Sequence, residues 1–185
     1  MAKGLMLLAN GFEDTEALTT RDVLLRAGIE VVTVSINDNR QVESSFGVTL
    51  LADKPAGYVK GYPDFDFLVL PGGGRGVKNL SESRFVRETI DYFVTKDKLV
   101  CAICAAPSIV GKLGYLKGHR YTCFAGFNQG YEGTFTGEEV VEDGNFITAR
   151  SMFYSVPFAL AITHRFLGAN ACERVLDGLR GQKEK

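Results

Sequence analysis

Short, continuous apolar runs alternate along this chain with longer stretches whose apolar residues recur every three or four positions. The first run, 3–9, predicts a strand. Residues 15–27 predict a helix with Ala17, Leu18, Val23, Leu24 and Ala27 at helical spacing and Gly28 closing it. A second strand follows over 30–36, rich in Val and Ile; Asn37-Asp38-Asn39 makes a turn and 41–52 a small hairpin region. The run 65–70 predicts a buried strand ending at Pro71-Gly72-Gly73-Gly74, and 83–95 a helix that turns Phe85, Val86, Ile90, Phe93 and Val94 inward. Residues 98–103 form the next apolar run and 105–111 a helix start. Beyond them, 119–149 reads as β segments punctuated by Gly130, Gly133, Gly137 and Asp143-Gly144. A long apolar helix is expected over 153–167 and a short one over 169–179, with the tail 181–185 fraying.

Strands that are apolar throughout, separated by helices, imply a mainly parallel sheet covered on both faces. The length of 185 residues suits one α/β domain over 1–185, and 45% hydrophobic with 23% charged residues is ordinary for a globular chain. In such sheets the ligand crevice lies outside the carboxyl ends of the strands. Three loops reach that edge: 10–16, 71–76 and the turn at Cys104.

Charge and cysteine usage narrow the picture. A formal net charge of -1 argues against a nucleic-acid partner. No apolar run approaches the roughly 20 residues of a membrane span, and Leu5-Met6-Leu7-Leu8-Ala9 is too short for a secretory leader. Four cysteines without a leader suggest reduced thiols and a cytoplasmic location.

Cys104 stands where the run 98–103 stops and a helix begins. A thiol there projects from a sharp strand-to-helix turn beside unpaired helix N–H groups, which favour its thiolate. Small residues after it let the turn close, as in a nucleophile elbow. A small buried core residue fits the same local pattern, since free Cys is among the most buried types. Cys101 and Cys104 have the spacing of a redox pair, but Cys101 lies mid-strand, about 10 Å away along an extended chain. A disulfide needs Cα atoms within about 7 Å. The glycine-rich 71–76 segment lacks the Lys-Ser/Thr of a phosphate cradle, and no Cys or His has zinc-site spacing.

Taken in order, several segments resemble the ThiJ/PfpI superfamily, to which the parkinsonism-associated protein deglycase belongs. They are Gly11-Phe12-Glu13-Asp14-Thr15-Glu16, Val69-Leu70-Pro71-Gly72-Gly73, Asn79-Leu80-Ser81-Glu82-Ser83 and Ala102-Ile103-Cys104-Ala105-Ala106-Pro107. The likeness continues through Thr122-Cys123-Phe124 and Ile147-Thr148-Ala149-Arg150 to Phe158-Ala159-Leu160-Ala161-Ile162. It implies a flavodoxin-like three-layer α/β/α sandwich with a nucleophile elbow, and a homodimer. It carries Glu16 over as the acidic partner of Cys104, and the Gly73 and Ala105 amides as an oxyanion hole. A carboxyl beside a forming thiolate resists ionising, so Glu16 would hold a proton and shuttle it. The implied function is a cofactor-independent cysteine enzyme acting on a small aldehyde or glycated substrate, of glyoxalase III or deglycase type. The same oxidisable thiol also suits an oxidative-stress sensor or holdase chaperone.

Two departures stand out. The histidine that many relatives place after the elbow helix is absent. Thr122-Cys123-Phe124-Ala125 stands there, and the histidines are His119 and His164. A Cys-His peptidase is therefore poorly supported; Cys123 is a candidate resolving thiol and Phe124 a candidate pocket residue. Where relatives carry a Gly-Pro-Gly-Thr run, this chain has Ser151-Met152-Phe153-Tyr154-Ser155. Phe153 and Tyr154 are expected to narrow the pocket mouth.

Overall fold

A computed structural model describes residues 1–182; the last three residues of the tail expected to fray lie outside the described residues. The strands are β1 (Lys3–Leu8), β2 (Glu30–Ser35), β3 (Gln41–Glu43), β4 (Thr49–Leu51), β5 (Lys54–Pro55), β6 (Phe67–Leu70), β7 (Leu99–Ile103), β8 (Arg120–Tyr121), β9 (Thr134–Phe135), β10 (Val140–Asp143) and β11 (Phe146–Ala149). The helices are α1 (Asp14–Arg26), α2 (Gly74–Glu82), α3 (Arg84–Thr95), α4 (Pro107–Lys112), α5 (Ser155–Leu167) and α6 (Ala169–Leu179).

Seven strands form one sheet in the order β10-β11-β7-β6-β1-β2-β5, parallel except for the edge strand β10, which runs antiparallel to β11. Side chains alternate across it, as strand geometry requires. Leu5, Leu7, Leu68, Leu70, Val100 and Ala102 face one way, into a cluster shared with Val77, Ile90 and Ile109 of α2, α3 and α4. Met6, Leu8, Phe67, Val69, Cys101 and Ile103 face the other, against Val23, Phe158 and Val175 of α1, α5 and α6. A flavodoxin-like α/β sandwich results. Cys101 is fully buried on the second face, in keeping with a core role.

The chain leaves β1 to build β2 on one side and later returns to place β6 on the other. This reversal of strand order separates the loops that follow β1 and β6, and a crevice opens between them at the strands' carboxyl ends. β7 lies next to β6, so the turn after Ile103 reaches the same crevice.

The expected elements hold, with shifts of one or two residues at most ends. One helix was not expected: Gly74–Glu82, which begins inside the expected 71–76 loop and continues through residues given no element, is α2. The expected long helix begins at Ser155 instead of 153, after a single 3-10 turn over Met152–Tyr154. No helix among the described residues is long and apolar enough to cross a membrane.

Candidate active site

Cys104 adopts φ 63°, a left-handed conformation that non-glycine residues rarely hold. Such a position costs about 1–3 kcal/mol and persists only where its surroundings dictate it. Here both backbone groups are pinned. The Cys104 N–H donates to Ala149 O at 2.8 Å, and its carbonyl accepts from Phe124 N at 2.7 Å. The end of β11 and the loop after β8 therefore fix the turn, and the thiol is left half-buried.

The carboxyl partner arrives through helix capping. Glu13 is the N-cap of α1, and its Oε2 accepts from Glu16 N at 2.7 Å. In a reciprocal capping box the residue at Glu16's position would return its carboxylate to the Glu13 N–H. That amide donates instead to Gly72 O at 3.1 Å. Glu16 is thereby free to turn inward, where Oε2 accepts from Gly72 N at 2.7 Å. Glu16 is 1% exposed, and its Oε1 is buried without a conventional hydrogen-bond partner. Glu13 is a positioning residue that the sequence reading passed over; an acidic residue three before another at a helix start was the available signal.

Gly72 shows how close the groups lie. A Cβ there would stand 2.4 Å from Glu16 Oε2 and 2.7 Å from Cys104 Cβ. Carboxyl and thiol thus flank a backbone that tolerates no side chain. Gly72→Ala is expected to force the Glu16 carboxyl and the Cys104 thiol apart while leaving a folded protein, checked by comparing thiol alkylation rate and circular dichroism of the two proteins.

Burial raises the Glu16 carboxyl to about 7; its hydrogen bonds with Cys104 and Gly72 oppose this, and the Glu13 charge adds to it. Burial also pushes the Cys104 thiol up, and the charge and hydrogen bond of Glu16 push it further. The Ala105 and Gly73 amides face the sulfur and offset part of that rise. This direction is opposite to the one a helix terminus would impose on the thiol. Helix α4 starts only at Pro107 and has six residues. A terminal dipole is worth about 0.3–1 kcal/mol, whereas burial can shift a group by several pKa units at roughly 1.4 kcal/mol each.

Four expected site residues, Cys104, Glu16, Gly73 and Ala105, are brought together. Phe124 is bonded to Cys104 through its backbone, with its side chain 47% exposed. Cys123 is fully buried, its thiol 3.9 Å from Tyr131 Oη. Phe153 projects into solvent at 80% exposure. Tyr154 is hydrogen-bonded to Arg150, whose guanidinium lies 4.8 Å from the Tyr154 ring centroid and also donates to Gly137 O at 2.9 Å. Tyr154 is thus held against Arg150. Among the described residues no cluster of three or more His, Cys, Asp or Glu is arranged to hold a metal ion.

The DJ-1/PfpI family model matches residues 2–165. The chain belongs to the DJ-1/PfpI family. It is 33% identical over 178 residues to Protein dj-1beta of Drosophila melanogaster, covering 95% of both chains. With the Deglycase PfpI of Pyrococcus furiosus it shares 34% identity over 154 residues, covering 80% of this chain and 89% of the relative. A DJ-1 superfamily protein of Salmonella typhimurium, crystallised as a cysteine-to-alanine mutant, superposes with a TM-score of 0.92 at 34% identity, covering 100% of each chain. The fold and its family membership thus agree with what the ordered motifs implied.

Proposed function

We propose that this DJ-1/PfpI chain is a cofactor-independent cysteine enzyme that converts 2-oxoaldehydes to 2-hydroxy acids, with repair of glycated groups as the same chemistry on a larger adduct. The observation that carries the reading is a carboxyl raised to about 7 by burial and set against a thiol that two backbone amides face. The pair shares one proton near neutrality. With that proton on sulfur the carboxylate is anionic; with it on Glu16 the thiolate is free, no charge opposes it, and the amides stabilise it. The second arrangement is the nucleophile.

The thiolate adds to the aldehyde carbon, forming a C–S bond while the carbonyl oxygen takes the Glu16 proton. The Gly73 and Ala105 amides are placed to hold that oxygen as charge develops. Glu16, now a carboxylate, removes the proton from the former aldehyde carbon, leaving an enediolate with its charge on the neighbouring oxygen. Glu16 returns that proton to the neighbouring carbon, and the hydroxyl proton passes from the first oxygen to the second, leaving a thioester of the hydroxy acid. Water cleaves the C–S bond, releasing the acid and restoring the thiol. The sum is addition of one water to the oxoaldehyde, without net oxidation. The Deglycase PfpI relative supports this reading. The test is lactate formation from methylglyoxal by chelator-treated protein; absence of lactate overturns it.

One observation favours a second use of the same sulfur. The unpartnered, buried Oε1 of Glu16 is placed to donate, once protonated, to an oxygen added to Cys104. Under mild peroxide, an oxidative-stress sensor gains two oxygens at Cys104 alone. Uniform oxidation of the cysteines counts against this role.

We also propose a homodimer as the working unit. The β3–β4 hairpin carries Phe46 and Leu51 at 82% and 68% exposure, and Leu18 of α1 is exposed as well. Sedimentation is expected to give twice the chain mass of 20.2 kDa; a monomer mass refutes it.

A further inference from the structure

Away from the Cys104 crevice, α5, α6 and β10 enclose an open groove of about 780 Å³. Its two walls differ in chemistry. On α5, Pro157, Leu160, Ala161 and His164 fall at helical spacing along one stripe, and Leu176 of α6 continues the apolar surface. The rest of the lining from β10 and the residues before it is Glu138, Glu139, Val140 and Glu142, three carboxylates around one apolar side chain. No Lys or Arg lines the groove. Nearby cations are already engaged: Arg120 pairs with Glu138, and Arg165 donates to Gly144 O at 3.1 Å. Among the described residues Glu139 and Glu142 have no ion-pair partner.

We propose that this groove docks a basic amphipathic helix of a partner polypeptide. The apolar face of such a helix lies along α5 and α6, and its Lys or Arg side chains reach Glu139 and Glu142. From Pro157 to His164 the α5 stripe runs about 10 Å, the length of roughly two helical turns. A groove with one apolar and one acidic wall complements a segment with one apolar and one basic face. None of these residues belongs to the sulfur site, so the proposal stands apart from the aldehyde chemistry.

The test titrates the full chain against a fluorescent Leu/Lys amphipathic peptide of about 18 residues, five turns, with its Leu/Glu counterpart as control. Expected are saturable binding of the basic peptide alone, weakening with added salt, and hydrogen-exchange protection over 157–164 and 172–176. Glu139→Gln/Glu142→Gln is expected to weaken binding at least about fivefold, with melting temperature and aldehyde turnover unchanged. Leu160→Ala tests the apolar wall separately and is expected to weaken it by a similar factor, whereas Glu132→Gln, outside the groove, changes nothing. Equal affinity for the acidic peptide, unaltered binding by the double variant, or protection over 41–51 instead overturns the proposal. So does a change in sedimentation mass with Glu139→Gln/Glu142→Gln, because the occupant is then a second copy of this chain.

Discussion

Cys104→Ala is expected to lower methylglyoxal turnover by at least about 10³-fold, because no other group at the turn can form the carbon–sulfur bond. Cys104→Ser should lose as much. A serine hydroxyl is far less acidic than a thiol, and a neighbour near 7 cannot deprotonate it appreciably. The backbone supplies an internal control. Because Cys104 sits at φ 63°, Cys104→Gly relieves strain that Cys104→Ala retains. The glycine variant should be the more stable of the two, by about 1 kcal/mol in urea unfolding. Equal turnover in wild type and Cys104→Ala removes the sulfur from the chemistry. A less stable glycine variant shows that the turn is not strained in solution.

The strand–helix alternation was legible because apolar runs in a parallel sheet are continuous and their bounding turns are rich in Gly, Asn and Pro. Helix α2 was hidden for a physical reason. It starts at Gly73-Gly74 without a side-chain cap and carries Gly76 in its first turn, all poor helix signals. Gly76 is there for contact, not propensity: a Cβ would stand 2.7 Å from Gly11 O, so the loop after β1 could not pack on the helix. Val77 and Leu80, three apart and buried, were the remaining trace of helical periodicity. At the site, residue types and loop order led to Cys104, Glu16, Gly73 and Ala105. The burial that raises the thiol is not displayed in local sequence, whereas the helix-terminal position that favours a thiolate is. The contact between Arg150 and Tyr154 is likewise one that side-chain size does not reveal.

Glu16→Gln is expected to lose turnover by about 10²–10⁴-fold, the usual worth of a positioned proton carrier, while gaining stability. The Glu16 carboxyl is raised from 4.5 to about 7, so its ionisation opposes folding. Stability from this group is complete below its unfolded pKa and is lost as pH rises through about 7. The full cost at alkaline pH is on the order of 3 kcal/mol, and glutamine avoids it at every pH. Its amide oxygen can keep the Gly72 N–H bond, and its NH₂ can donate to sulfur as a neutral acid does. The variant should therefore melt higher than wild type at pH 8 and close to it near pH 4.5. Its thiol should also alkylate with iodoacetamide at pH 7 no more slowly than wild type, since the anionic neighbour is gone. In wild type, kcat/KM should rise with pH up to about 7 and then level, as the pair sheds its first proton. In the variant that inflection is absent. Loss of turnover with alkylation undiminished separates proton transfer from mere support of the thiolate. If alkylation and turnover fall in parallel, Glu16 acts only by holding the turn in place.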